Sequence, residues 1–255
     1  MTYGLWLSAA GMQANQYRQE VLANNLANVN TVGFKRDLAV MRARQVESRS
    51  GSGTQFGHNV LDDLSGGTSV TPTHHSFEPG PLVPTGNPLD LAIQGDGFFA
   101  VEVDGQVRYT RDGRFTINSD NELVMVANEG RAHVLDEAGA PIVLLPGSAG
   151  SPEVGSDGTL RQGRAVVARI GLREFADRSN LRKVGANLFA AGQGDAKSAV
   201  ASNIAAGTIE GSTVDPISGM ASMIEVSRAY QLNAQMISLQ DNTLGQAISR
   251  LGRIA

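Results

Sequence analysis

Gly95-Asp96-Gly97-Phe98-Phe99-Ala100 comes nearest to a cofactor motif in this chain. It fits G-x-G-x-x-A, which in a dinucleotide fold follows a strand and opens a helix whose N-terminus holds the pyrophosphate. Here Phe98 to Val103 reads on as strand, so the segment is expected to be a hairpin turn. A Walker loop would need a Gly-Lys dipeptide and a serine hydrolase a G-x-S-x-G elbow, and the chain has neither. Its 4 histidines are His58, His74, His75 and His133. His74 and His75 are adjacent, so in extended chain they point apart, and a solvated loop is expected rather than a metal site. Asp96, Asp104, Asp112, Asp120 and Asp157 each neighbour Gly or Asn, which is turn chemistry. Arg108, Arg111 and Arg114 lie close to Asp104 and Asp112, and a solvated, mixed-charge rim is expected there. No cysteine is present, which excludes disulfides, thiolate metal sites and thiol nucleophiles. The residues predict no catalytic constellation, no cofactor and no metal.

With 21 Lys+Arg against 25 Asp+Glu, the net charge is -4, which argues against a nucleic-acid partner. No apolar run approaches the roughly 18 residues of a membrane span, so no membrane insertion is expected. The first residues lack a basic stretch followed by an apolar one, so any export is expected to bypass the secretory signal route.

Two helical ends surround a strand-rich middle. Across the first thirty residues Leu5, Met12, Leu22, Leu26 and Val29 share one face, flanked by Leu7, Ala10, Ala14, Tyr17 and Val21, with Gly33 as a stop. Near the other end Asp215-Pro216 is an N-cap followed by a first-turn proline. A stripe then runs through Met223, Val226, Tyr230, Asn233, Ile237, Gln240, Leu244, Ala247, Leu251 and Ile254 at coiled-coil spacing. Between them, short apolar runs at Leu89–Gln94, Phe98–Val103, Val107–Thr110, Phe115–Asn118 and Leu123–Val126 are parted by turn residues. Asp104-Gly105 and Asp112-Gly113 are strong hairpin signals. Further strands are expected at Ile142–Leu145, Gly158–Arg161 and Ala165–Glu174. The predicted fold class is α+β, a mainly antiparallel β domain flanked by N- and C-terminal helices that form a coiled-coil-like assembly region. Its domains are 1–36 with 210–255 for the helices, 37–84 for a Pro-rich extended linker that includes Ser48 to Gly53, and 85–209 for the β domain with a return linker.

The two helices can pair, yet a pair buries little surface, and helices draw most of their stability from tertiary packing. Their stripes are therefore expected to lack sufficient partners in the chain, leaving the ends mobile in a monomer and pointing to assembly. Asn24, Asn25 and Asn28 add to this, because three Asn near a helix end are costly unless their amides fix register across a packed interface.

Val21 to Arg36, Val-Leu-Ala-Asn-Asn-Leu-Ala-Asn-Val-Asn-Thr-Val-Gly-Phe-Lys-Arg, closely resembles the N-terminal signature of bacterial flagellar rod and hook proteins. Asn87 to Phe99, Tyr109 to Phe115, Glu210 to Pro216 and Met223 to Gln231 resemble further family segments, in the family's order. The length fits rod proteins with one β domain, and the proximal rod type fits better than the distal. The resemblance implies a structural, non-enzymatic subunit that assembles helically with itself and other flagellar axial proteins of the rod and hook. It also implies delivery by the flagellar type III export apparatus to a basal body that crosses the periplasm. The residues expected at the subunit interface are Leu22, Asn24, Asn25, Leu26, Asn28, Met223, Val226, Tyr230, Ile237 and Leu244.

Overall fold

The computed structural model describes residues 2–44, 67–146, 150–192, 196–199 and 202–251. Ser48 to Gly53, His58 and Ile254 lie outside them. The architecture is α+β, and it divides into two compact units that are each built from separate stretches of chain.

The first unit comprises residues 1–27, 37–75 and 215–255. Helix α1 spans Thr2–Ala27 and helix α2 spans Pro216–Leu251. Asp215 starts α2 as expected: its carboxylate accepts from the N–H of Ile217 at 3.1 Å and of Ser218 at 3.4 Å. Helix α1 stops short of the thirty residues predicted, because Asn28 turns the chain and accepts the Thr31 N–H on its carbonyl and the Thr31 hydroxyl on its amide oxygen. Among the described residues, no helix is long and apolar enough to cross a membrane.

Part of the stretch read as linker is ordered strand. β1 (Asp37–Leu38), β2 (Met41–Ala43), β3 (Thr68–Val70) and β4 (His74–His75) form two antiparallel ribbons. β1 pairs with β4 through Asp37 and His75, and β2 pairs with β3 through Met41 and Val70. His74 and His75 are thus strand residues rather than a solvated loop. The ribbon holds because Thr71 gives both its N–H and its hydroxyl to the Val40 carbonyl.

The second unit comprises residues 28–36 and 76–214. Its strands are β5 (Leu82–Pro84), β6 (Leu91–Gln94), β7 (Phe98–Val103), β8 (Gln106–Thr110), β9 (Phe115–Ile117), β10 (Leu123–Met125), β11 (His133–Val134), β12 (Pro152–Val154) and β13 (Thr159–Gln162). They continue with β14 (Ala165–Arg169), β15 (Leu172–Phe175), β16 (Arg182–Gly185), β17 (Leu188–Ala190), β18 (Ala196–Ser198), β19 (Asn203–Ala206) and β20 (Thr208–Glu210). Every described pairing is antiparallel, and β7 sits at the centre of the main sheet. One edge of β7 pairs with β8, and the other is shared by β15 and β11. Its side chains alternate between two apolar clusters. Phe99 packs edge-on against Phe115, 5.1 Å between ring centroids, while Phe98 meets Phe175 at 5.7 Å and Phe189 at 6.0 Å.

Two of the predicted turns are hairpins. Asp104-Gly105 joins β7 to β8 with φ of 51° and 72°, the left-handed pair that such a two-residue loop requires. Asn121 closes the β9–β10 hairpin with φ 62°. Asp112-Gly113 is not a hairpin, since β8 pairs with β7 and β17 while β9 pairs with β10. Glycine is needed there for close approach instead: a Cβ on Gly113 would lie 1.6 Å from the Leu91 carbonyl oxygen. Gly95-Asp96-Gly97 is likewise a turn without a hairpin, because β6 takes β19 as its partner. The predicted strand at Ile142–Leu145 is reduced to isolated bridges at Pro141 and Val143. Ala165–Glu174 breaks into β14 and β15 at Gly171, whose hydrogens face the Asp136 carbonyl oxygen 2.4 Å from where a Cβ would stand. The return linker is structural too: β19 and β20 pair with β6 and β5, and Ile204 is buried.

Candidate assembly interface

Helices α1 and α2 lie against each other in antiparallel sense. Gly4 faces the Gln240 amide and Gly11 faces the Asn233 amide, seven residues apart on both helices. A Cβ on Gly4 would come within 3.0 Å of Gln240 Nε2, and one on Gly11 within 3.1 Å of Asn233 Nδ2. The stripe read from the sequence is the side of α2 turned to α1. Val226 is fully buried, and Met223, Tyr230, Asn233, Ile237, Gln240, Leu244 and Ala247 are half-buried. The seam thus has a partner within the chain. On α1 the buried row is Ala14, Val21 and Asn25, with Leu22 and Leu26 half-buried beside it and Asn24 exposed.

Helix α2 carries a second apolar row that no periodicity count singled out. Ile217 is 76% exposed, Ile224 56%, Leu232 61% and Leu239 61%. Their spacing of seven, eight and seven residues averages close to 3.6 per turn, so they line one face, roughly opposite the seam. Charges are few. Helix α1 has Arg18 and Glu20, and α2 has Glu225, Arg228, Asp241 and Arg250, so the pair is electrically balanced. Near Leu239, Gly4 and Thr243 line a recess in which Gln240 Oε1 is buried without a hydrogen-bond partner among the described residues.

Asn25 is committed inside the first unit. Its Nδ2 donates to the Asp37 carbonyl and its Oδ1 accepts the Asp37 N–H, both at 2.8 Å. The Asp37 carboxylate then meets His75 Nδ1 at 2.7 Å. At the opposite end of α1, the Trp6 ring stacks on Tyr3, with Arg44 above it at 6.0 Å.

In the second unit the signature Thr31-Val32-Gly33-Phe34-Lys35-Arg36 is a largely buried peptide. Gly33 donates its N–H to the Glu210 carbonyl at 2.7 Å, and Phe34 accepts from the Thr213 N–H at 3.1 Å. Lys183 donates to the Lys35 carbonyl, and Asn187 to that of Val32. The Lys35 ammonium, fully buried, donates to Glu210 Oε1 at 2.6 Å and to the Glu78 carbonyl at 2.7 Å. Arg111 Nη1 reaches Glu210 Oε2 at 3.2 Å, its Nη2 donates to the Gly95 carbonyl at 2.7 Å, and its guanidinium stands over the Phe98 ring. Arg111 is therefore a core residue, and Asp112, which pairs with Arg114, is fully buried too, so the expected solvated rim is limited to Asp104, Arg108 and Arg114. Burial pushes both the Lys35 ammonium and the Arg111 guanidinium below their ordinary ranges, and Glu210 opposes the shift in each. Nothing in the local sequence joins Lys35 to Glu210, because charge matching across 175 residues leaves no periodic trace.

Among the described residues no cluster of His, Asp and Glu could hold a metal ion. Three family descriptions match in chain order: flagella basal body rod protein over residues 7–35, flagellar hook protein FlgE/F/G D1 domain over 92–162, and flagellar basal body rod FlgEFG protein C-terminal over 205–250. The chain is 36% identical to the flagellar basal-body rod protein FlgF of Caulobacter vibrioides over 256 residues, 100% of each chain. It is 35% identical to FlgF of Mesorhizobium japonicum over 99% of both chains. Against the rod protein FlgG of Borreliella burgdorferi the identity is 33%, over 97% of this chain and 98% of the other.

Proposed function

This chain belongs to the flagellar basal-body rod protein family, and we propose that its helix pair is the unit by which neighbouring subunits join into the rod. Members of this family are structural, non-enzymatic parts of the basal body that assemble with other flagellar axial proteins. The FlgF type is favoured over the FlgG type by the higher identities. We assign the chain to the proximal rod on that basis.

The observation that carries the interface is the exposed row Ile217, Ile224, Leu232 and Leu239 on an α2 whose other face is already against α1. Full burial of such a side chain contributes roughly 1.5–3 kcal/mol. The occupant is the helix pair of an adjoining rod subunit, since a sparsely charged and balanced surface suits packing against its own kind. Leu22, Asn24 and Leu26 of α1 contribute from the rim. Met223, Val226, Tyr230, Ile237 and Leu244 act by holding the pair together, and Asn25 and Asn28 by fixing the chain where α1 ends. The subunit reaches the periplasmic span of the basal body through the flagellar export apparatus, and there transmits torque.

The test is complementation of a deletion strain with Ile224→Asp and Leu239→Asp chains, with basal bodies viewed by electron microscopy. Rods should stop short while each purified variant keeps the helix content and stability of the unchanged chain. Complete rods from both variants would sink the interface.

A further inference from the structure

Glu210 is the single carboxylate in hydrogen-bond reach of both Lys35 and Arg111 among the described residues. All three are buried, with at most 3% of any residue exposed. Glu210 Oε1 takes the Lys35 ammonium and the Gly80 N–H, at 2.6 and 2.7 Å, and Oε2 takes Arg111. The pairs span 175 and 99 residues of chain, so no local segment can assemble them. Two cations thus depend on one anion that arrives late in the sequence.

We propose that this triad is a closure gate: the second unit cannot bury residues 31–36 or Arg111 until the segment carrying Glu210 has returned. Breaking a buried ion pair by removing one partner lowers the folded-to-unfolded ratio by about a hundredfold to several thousandfold. Replacing the whole set with apolar groups of similar volume is often neutral or stabilising. The charges therefore contribute conditionality more than strength. Any partial sheet that encloses Lys35 and Arg111 without Glu210 carries two unpaired cations and reopens. A chain delivered N-terminus first stays open until residue 210 is available and then closes in one step. Its use during export rests on the functional reading above, but the gate itself does not.

The experiment follows refolding of the full chain by pulsed hydrogen exchange, with no readout of rod assembly. In the unchanged protein, the amides of Gly33 and Gly80 and those of β7 and β8 should gain protection in the same phase. Glu210→Gln should lower the folded-to-unfolded ratio of the second unit by at least about a hundredfold. The triple change Lys35→Met, Arg111→Met, Glu210→Met should recover protection at β7, β8 and Gly33, whose acceptor is the backbone carbonyl of residue 210, with β7 and β8 now protected before Gly33. A Glu210→Gln chain within about threefold of the unchanged ratio overturns the gate. So does a triple variant no better protected than Glu210→Gln, or one that keeps the single phase.

Discussion

Asn25 and Asp37 are joined by two hydrogen bonds of opposite sense, the amide of one reading both backbone groups of the other at 2.8 Å. An amide side chain carries one donor and one acceptor group and can imitate a strand neighbour in this way. Asn25→Ala should leave the Asp37 N–H and carbonyl without that partner and cost the first unit about 2 kcal/mol. Denaturant unfolding, with amide exchange at Asp37 as the local probe, checks it. Unchanged exchange at Asp37 would show that the clasp does not hold β1.

Gly33 has φ 66°, and a Cβ there would lie 2.5 Å from the Arg111 carbonyl carbon and the Asp112 nitrogen. No rotamer relieves a clash with backbone, and a left-handed φ is strained for alanine besides. Gly33→Ala is expected to destabilise the second unit by more than about 2 kcal/mol. The midpoint of its urea transition reads this directly.

The Asp215 carboxyl is held below its usual range, first by its hydrogen bond with Ser218 and then by the Ile217 N–H. With the folded value depressed, the stabilisation is complete above the unfolded carboxyl's pKa of about 3.9 and fades as pH falls through the folded value. Exchange in the first turn of α2 should therefore accelerate below about pH 4, and Asp215→Asn should remove most of that dependence. An identical acid profile in both chains would assign the effect elsewhere.

Among the described residues, nothing lies within 4 Å of where a Cβ would stand on Gly245, a glycine in the interior of α2. Gly245→Ala should stabilise the last turns of α2 by about 0.5–1 kcal/mol. Amide exchange in the isolated chain measures that gain. Should rods then fail to form from a chain with a firmer helix, the position abuts a neighbour closely.

What the sequence disclosed was whatever repeats over short distances. The α2 stripe followed from three-and-four spacing, and Asp104-Gly105 followed from the demand of a two-residue loop for left-handed φ. Asp112-Gly113 carried the same local signal and failed, because the signal cannot tell a turn from a glycine that lets Leu91 come close. The return linker hid β19, whose partner β6 lies over a hundred residues earlier. The stripe was visible but not its occupant, since periodicity names a face and not what covers it. Ile217, Ile224, Leu232 and Leu239 form a second row that helical spacing alone does not mark as unpartnered, since the first row already accounts for an amphipathic helix.

The bonds at Gly33, Phe34 and Arg36 with Glu210 and Thr213 place the stretch by which the chain first passes through the second unit beside the stretch by which it last leaves it. Tension applied through the two terminal helices therefore finds a short load path across residues 33–36 and 210–213. The strands beyond it hang on that path as a side loop and carry little of the pull. The resistance of this unit to axial force should accordingly depend on a few bonds at its neck, and hardly on the depth of its core.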